Sequence, residues 1–286
     1  MKILRIFPRK TNATPIDDNV IINRMPNLFD QADQINISVA FTWDIPIAEK
    51  LYNQWKYVTK TEVGGPAFNQ PGGEFEPGLY LKNGYTITSR GCPNRCWFCS
   101  VWKREQGLRE LSIKPGFNVA DDNLLACSDQ HIKTVFEMLR TQKKPAIFSG
   151  GIEARLLRAW HIELFTSIRL NELFCAYDIS DDYDPLVEAG RMFKQANITY
   201  ENRKARCYVL IGYPGDSFQK AQERIKQTVK AGFMPFAMLY RNDTGKYDIE
   251  WKRFQREWSN PYIIPVKVKN ISIKKNAGQQ LRHPPT

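Results

Sequence analysis

Three cysteines, Cys92, Cys96 and Cys99, lie close together with the spacing C-x3-C-x2-C. A run with the composition of a β-strand, residues 85–90, leads directly into them. Three thiolates at this spacing can bind three irons of a cubane [4Fe–4S] cluster. The segment contains no fourth cysteine, so the remaining iron would stay open to a small molecule.

A structural zinc site is the alternative for the same cysteines. Structural zinc usually has four Cys or His ligands, arranged as two well-spaced pairs. The other cysteines and the histidines are isolated in the sequence, at Cys127, Cys175, Cys207, His131, His161 and His283. Because no second C-x2-C pair exists, the spacing favours a cluster. Scattered cysteines in a chain of this size do not predict a secreted disulfide framework either.

The cysteine motif resembles the cluster loop of radical S-adenosylmethionine (radical SAM) enzymes, and the resemblance extends over about residues 80–242. In that family an aromatic residue usually precedes the last cysteine, as Phe98 does here. The resemblance implies that Cys92, Cys96 and Cys99 bind the cluster and that Phe98 lies against the cofactor. It also implies an enzyme that cleaves S-adenosylmethionine reductively, giving a 5′-deoxyadenosyl radical that takes hydrogen from a substrate.

The segment Ser149-Gly150-Gly151-Ile152-Glu153 follows a predicted strand and resembles the Gly-Gly-Glu motif of the same family. There the motif contacts the amino group of the methionine part of the cofactor. The resemblance assigns that role to Gly150, Gly151 and Glu153, although Ile152 separates the glycines from the acid. From the residues alone, two glycines after a strand would indicate a turn or a close backbone approach.

Three later strand ends carry further candidates for cofactor binding. Asp178 could accept hydrogen bonds from ribose hydroxyls, and Gly212 begins a Gly-Tyr-Pro-Gly turn that resembles one near the adenine in that family. Arg241 could bind the cofactor carboxylate through two parallel hydrogen bonds, or form a surface salt bridge. Asp216 is predicted to cap the following helix. Residues 121–123, Asp-Asp-Asn, resemble a pair found in related barrels but receive no role.

Strands and helices alternate through the central part of the chain. The predicted strands are residues 84–89, 146–148, 173–178, 206–211 and 236–240, and the predicted helices 129–139, 154–168, 186–195 and 217–231. Such alternation is typical of a parallel α/β sheet or barrel. Five clear strands and a weakly marked sixth agree with the incomplete (β/α)6 TIM-like barrel that the resemblance implies, over residues 76–242.

The N-terminal part reads as half of a nucleotide-binding domain, with a strand at 35–41, a helix at 47–58 and a strand at 62–63. It resembles the end of the cobalamin-binding domain that precedes many radical SAM barrels. That domain binds cobalamin through a histidine, and no histidine precedes His131 here. We therefore predict a truncated Rossmann-like region over residues 1–75 and do not expect cobalamin.

The net charge of +11 is concentrated towards the C-terminus, where residues 243–286 hold nine Lys or Arg and four Asp or Glu. This extension, residues 243–286, is predicted to contain a helix at 249–258 and a basic tail. The tail could bind along the phosphates of a nucleic acid, or it could simply be exposed to solvent.

We expect the substrate to be a nucleic acid or nucleoside if the tail binds phosphates, or otherwise a small metabolite or peptide. A non-enzymatic, metal-binding nucleic-acid module is the third alternative.

The composition predicts a globular protein, since hydrophobic residues make up 42% of the chain. No apolar run approaches the ~18–20 residues that cross a bilayer, and residues 1–10 do not resemble a secretory signal. We expect no membrane partner. Free thiols and an oxygen-sensitive cluster fit the reducing cytoplasm, where a flavodoxin- or ferredoxin-like protein would donate the electron.

Overall fold

The computed structural model describes residues 1–260, 263–264 and 266–267. The chain divides into two compact units, the first comprising residues 1–150 with 243–245, and the second residues 151–242 with those described from 246 onward. Both units contain parallel strands and packed helices, so the fold class is α/β, as predicted. Within the described residues, none of the helices combines the length and the apolar character needed to span a bilayer.

The first unit opens with a four-stranded parallel sheet. Its strands are β1 (Ile3–Phe7), β2 (Val20–Ile22), β3 (Gln34–Ser38) and β4 (Thr61–Gly64), in the spatial order β2-β1-β3-β4. Helix α1 (Ile45–Trp55) follows β3 and buries Ala48, Leu51 and Trp55 against the sheet. The predicted strand, helix and strand of this region are confirmed with shifted ends, whereas β1 and β2 were not predicted.

The same unit continues with three parallel strands and an antiparallel pair. The elements are β5 (Tyr85–Thr86), β6 (Ser89–Arg90), α2 (Val101–Arg104), β7 (Arg109–Glu110), β8 (Asn118–Val119), α3 (Asp129–Arg140) and β9 (Ala146–Phe148). β8 lies between β5 and β9 and pairs in parallel with both, while β6 and β7 are antiparallel. β8 is a strand that the sequence pattern did not locate.

The second unit contains three longer parallel strands, with β11 between β10 and β12. Its elements are α4 (Ala159–Thr166), β10 (Leu170–Tyr177), α5 (Tyr183–Gln195), β11 (Ala205–Ile211), α6 (Phe218–Lys230), β12 (Met234–Leu239) and α7 (Ile249–Ser259). The helix predicted over 154–168 is wrong in its first part. A short 3-10 turn, Ala154–Leu156, precedes α4, and the Arg158 N–H donates to His161 Nδ1 at 3.0 Å, which starts α4 at that point.

The aromatic side chains of α7 pack inside the second unit. The Trp251 and Phe254 rings lie 4.3 and 5.8 Å from the Phe218 ring, and Trp258 is buried. These contacts account for the aromatic side chains of α7 as packing within the second unit. The predicted nucleic-acid contact of the basic tail falls mainly beyond residue 267, outside the described residues.

Candidate functional site

The cysteine loop is held at its base by a short antiparallel pair of strands. β6 and β7 pair Ser89 with Glu110 and Arg90 with Arg109, so the two ends of the loop leave from adjacent positions. Gly91 has a φ of +87°, and a Cβ there would lie 1.9 Å from the Gly107 carbonyl oxygen. Only glycine allows both this backbone conformation and so close an approach to another carbonyl. Gly91 therefore lets the two ends of the loop come together immediately before Cys92.

Three N–H groups point at the sulfurs of the loop. The Asn94 main-chain N–H and the Asn123 side-chain amide lie 3.4 and 3.3 Å from the Cys92 Sγ. The Val101 N–H lies 3.5 Å from the Cys99 Sγ. Burial raises the pKa of the Cys99 thiol, and the Val101 N–H opposes that rise. Donors of this kind favour a thiolate and influence the potential of an iron–sulfur cluster.

The middle of the loop is fixed through main-chain contacts and leaves one cysteine exposed. The Cys96 carbonyl accepts hydrogen bonds from the Cys99 N–H and the Trp102 indole, both at 3.0 Å, while the Cys96 side chain is exposed. Phe98 is half-buried, with its ring edge-on to Trp97 at 5.4 Å. Cys92 and Cys99 are half-buried, whereas Cys96 is exposed.

Residues 121–123, which the sequence left without a role, tie the cysteine loop to the end of β8. Asp121 is buried and accepts hydrogen bonds from the Thr88 N–H at 2.6 Å and from the Ser89 hydroxyl at 2.9 Å. Burial raises the pKa of Asp121, and these hydrogen bonds oppose the rise. Asp122 accepts the Gly91 N–H at 2.8 Å. Three consecutive side chains, Asp121, Asp122 and Asn123, therefore hold the start of β6, the loop entrance at Gly91 and the Cys92 sulfur.

A charged network fixes the other end of the loop. The Arg104 guanidinium bridges Asp122 at 3.0 Å and Glu105 at 3.4 Å. Glu105 is buried and also accepts the Gly72 N–H at 3.0 Å. Arg90 donates from Nε to the Gly73 carbonyl at 2.9 Å, and burial lowers the pKa of Arg90. The Gly-rich segment that follows the first sheet is therefore attached to the cysteine loop.

The two predicted glycines after β9 have different structural requirements. A Cβ at Gly150 would lie 2.1 Å from the Asp121 carbonyl oxygen, so close strand packing already requires this glycine. Gly151 has a φ of +103°, and a Cβ there would meet only the Phe174 carbonyl oxygen, at 4.0 Å. In the second unit Ile152 is buried, and its N–H donates to the Phe174 carbonyl at 2.6 Å. Glu153 then begins the 3-10 turn, half-buried.

Asp178, directly after β10, carries a carboxyl whose pKa is raised. It accepts the Leu210 N–H at 3.1 Å. Burial, with a contribution from the negative charge of Asp182, raises the pKa of Asp178 to about 7. A carboxyl that titrates near neutrality at a strand end is typical of a functional site.

We expect Asp178→Asn to stabilise the protein in a pH-dependent way. The raised pKa means that the fold favours the protonated acid, so ionisation destabilises the native state progressively from about pH 4 to about pH 7. The variant should gain stability over that interval and keep it above, by at most about 4 kcal/mol. Urea unfolding across this pH range measures the gain. Asp181→Asn, on an exposed neighbour, is the control, and an equal gain in both variants would contradict the prediction.

Gly212 and Arg241 lie at the ends of β11 and β12. Gly212 has a φ of +70°, and a Cβ there would meet Leu239 at 2.8 Å and Trp251 at 3.0 Å. Arg241 lies over the Tyr247 ring at 4.6 Å. Close packing against Leu239 and Trp251 therefore already requires a glycine at position 212, and Arg241 already contacts a ring of its own unit.

The capping role predicted for Asp216 is wrong. Ser217 caps α6, its hydroxyl accepting the Lys220 N–H at 3.3 Å. Asp216 is buried and instead accepts the Gly212 N–H at 2.8 Å and pairs with Arg224 at 2.7 Å. Its carboxylate organises the turn, because it satisfies a backbone donor and a buried cation together.

The donor set of the cysteine loop fits an iron–sulfur cluster. Among the described residues, no group of three or more His, Cys, Asp or Glu side chains is placed to hold a single metal ion. Cluster ligands need not meet at one point, since each cysteine binds a different iron. Three thiols in one closed loop, with N–H groups directed at two of the sulfurs, match that requirement.

Comparison with known proteins adds no family to this description. No protein-family model matches the chain, and no curated protein matches it.

Proposed function

We propose that the chain is a radical SAM enzyme whose [4Fe–4S] cluster is bound by Cys92, Cys96 and Cys99. The observation that supports this most is the C-x3-C-x2-C loop, which the antiparallel strands β6 and β7 close at its base. With S-adenosylmethionine at the open iron, the reduced cluster would supply a 5′-deoxyadenosyl radical that abstracts hydrogen from the substrate.

The protein contributes positioning in this proposal. Asn123 and the main-chain N–H groups of Asn94 and Val101 orient the sulfurs, and Asp122 holds the loop entrance through Gly91. Further side chains and glycines are proposed to contact S-adenosylmethionine: Phe98, Gly150, Gly151, Glu153, Asp178, Gly212 and Arg241. The architecture proposed with this function is an incomplete (β/α)6 barrel over residues 76–242, supported by the alternation of strands and helices.

The proposed surroundings follow from the same chemistry. A flavodoxin- or ferredoxin-like donor in the cytoplasm would supply the electron, and cobalamin is not part of the proposal. The substrate is a nucleic acid or nucleoside, with a small metabolite or peptide as the alternative. The basic composition of the C-terminal extension supports the first substrate class.

The decisive experiment is anaerobic reconstitution with iron and sulfide, followed by S-adenosylmethionine and a strong reductant. We expect a brown protein that releases 5′-deoxyadenosine. A colourless, zinc-loaded protein that releases none would overturn the proposal and favour a metal-binding module without this activity.

Asn123→Ala should lower the reduction potential of the cluster. The Asn123 amide donates to the Cys92 Sγ, and such a bond stabilises the more negative, reduced state. Losing a hydrogen bond of about 0.5–1.5 kcal/mol corresponds to roughly 20–65 mV for one electron. A redox titration followed by electron paramagnetic resonance measures this shift. Asn94→Ala is the matched control, since it keeps its main-chain donor, and equal potentials in the two variants would refute the role of Asn123.

A further inference from the structure

The first unit encloses a cavity of about 670 Å³ beside the base of the cysteine loop. Its walls include residues that lie within three positions after the ends of three parallel strands: Arg9 after β1, Phe41 after β3 and Gly65 after β4. The Gly-rich segment 70–76 and Arg90 also line the cavity. A volume of this size accommodates a small organic molecule.

The cavity lies where the four-stranded sheet is expected to bind a ligand. The chain passes from β1 outward to β2 and then returns past β1 to β3, so the strand order reverses between β1 and β3. In open parallel sheets, ligands bind outside the carboxyl ends of the strands at such a reversal, and nucleotides are the common occupants.

Among the described residues, the charges along the walls leave one cation, Arg90, without an ion pair. Asp44 is buried and paired with Arg9, and Asp122 is paired with Arg104. The remaining acids of the wall, Glu62, Glu74 and Glu76, are exposed to solvent, which weakens their effect.

Arg90 is the cation that remains. Its Nε donates to the Gly73 carbonyl, but within the described part of the chain no carboxylate lies within ion-pair distance of its guanidinium. A guanidinium with free terminal N–H groups matches the geometry of a phosphate.

We propose that this cavity binds a phosphorylated small molecule of nucleotide size, with Arg90 paired to its phosphate. This site is separate from the proposed chemistry at the cysteines, and its test does not depend on cleavage of S-adenosylmethionine. A bound molecule would contact Arg90 and Asp122, two residues that hold the base of the cysteine loop.

Isothermal titration calorimetry on the full chain tests the proposal, with GMP, CMP, UMP and FMN as probes. Adenine nucleotides are omitted because a site for S-adenosylmethionine could also bind adenosine. We expect at least one probe to bind, its unphosphorylated counterpart to bind at least about tenfold more weakly, and Arg90→Gln to weaken binding about tenfold. Lys50→Gln, on the exposed face of α1, removes the same charge and should leave the affinity unchanged.

Ala40→Trp provides a second variant, because Ala40 lines the cavity and is exposed, so a large side chain can occupy the space without removing Arg90. It should weaken binding as well. The proposal is overturned if no probe binds wild-type protein at millimolar concentration, if Arg90→Gln binds like wild type, or if the unphosphorylated counterpart binds as tightly as the probe. It is also overturned if inorganic phosphate alone binds as tightly as the best probe, since that would indicate a simple anion site.

Discussion

Replacing Cys96 by Ala is expected to abolish both the brown colour of the reconstituted protein and the release of 5′-deoxyadenosine. In the proposed site each cysteine binds one iron, and no other cysteine lies in the loop to replace the lost thiolate. The Cys96 side chain is exposed, so its removal leaves no buried cavity and should not unfold the chain. Iron content, visible absorbance and product formation should therefore fall to background while the circular dichroism spectrum stays unchanged.

Cys175→Ala is the matched control for that experiment. Cys175 is fully buried in β10, and burial raises the pKa of its thiol to about 12, so it remains a protonated, inert side chain at neutral pH. This variant should retain the cluster and the product, with a modest loss of stability from the small cavity. Retention of colour in Cys96→Ala, or its loss in Cys175→Ala, would contradict the ligand assignment.

Periodic patterns were sufficient to locate the long elements. Strand β9 was predicted with the residues it has, and α3, α6 and α7 within about two residues. These helices bury one apolar face, as α3 does with Ile132, Val135 and Phe136, so the side-chain period alone identifies them. Strands β1 and β2 were not predicted. Ile3–Phe7 is almost entirely apolar, but the strand that pairs with it, Val20–Ile22, has only three residues and shows no periodic pattern.

Contacts between distant segments were beyond the reach of local patterns. Asn118–Val119 is a two-residue strand that exists because β5 and β9 pair on either side of it. The role of Asn123 depends on a side chain 31 positions away, at Cys92. Asp216 was predicted to cap α6 because it precedes that helix, whereas its buried partner, Arg224, lies eight positions further along the chain. Polar residues after a strand indicate that a site exists there, but not which group each one binds.

Gly91→Ala should be the most damaging single substitution in the loop that leaves all three cysteines in place. A residue other than glycine at φ +87° costs about 1–2 kcal/mol. The added Cβ would also lie 1.9 Å from the Gly107 carbonyl oxygen, a backbone atom that cannot move without separating β6 from β7. Overpacking of this kind adds about 1–3 kcal/mol. We expect a total loss of about 2–5 kcal/mol in the free energy of unfolding, with reduced cluster content.

Gly107→Ala separates the two contributions. Gly107 also has a positive φ, of +122°, but a Cβ there would meet no atom within 4 Å, so this variant retains the conformational cost without the clash. Urea unfolding should therefore rank the proteins as wild type, Gly107→Ala and Gly91→Ala in order of decreasing stability, and iron content after reconstitution should follow the same order. Equal losses in the two variants would mean that conformation alone sets the cost. In that case the close contact between the two ends of the loop would not be what holds Cys92 in place.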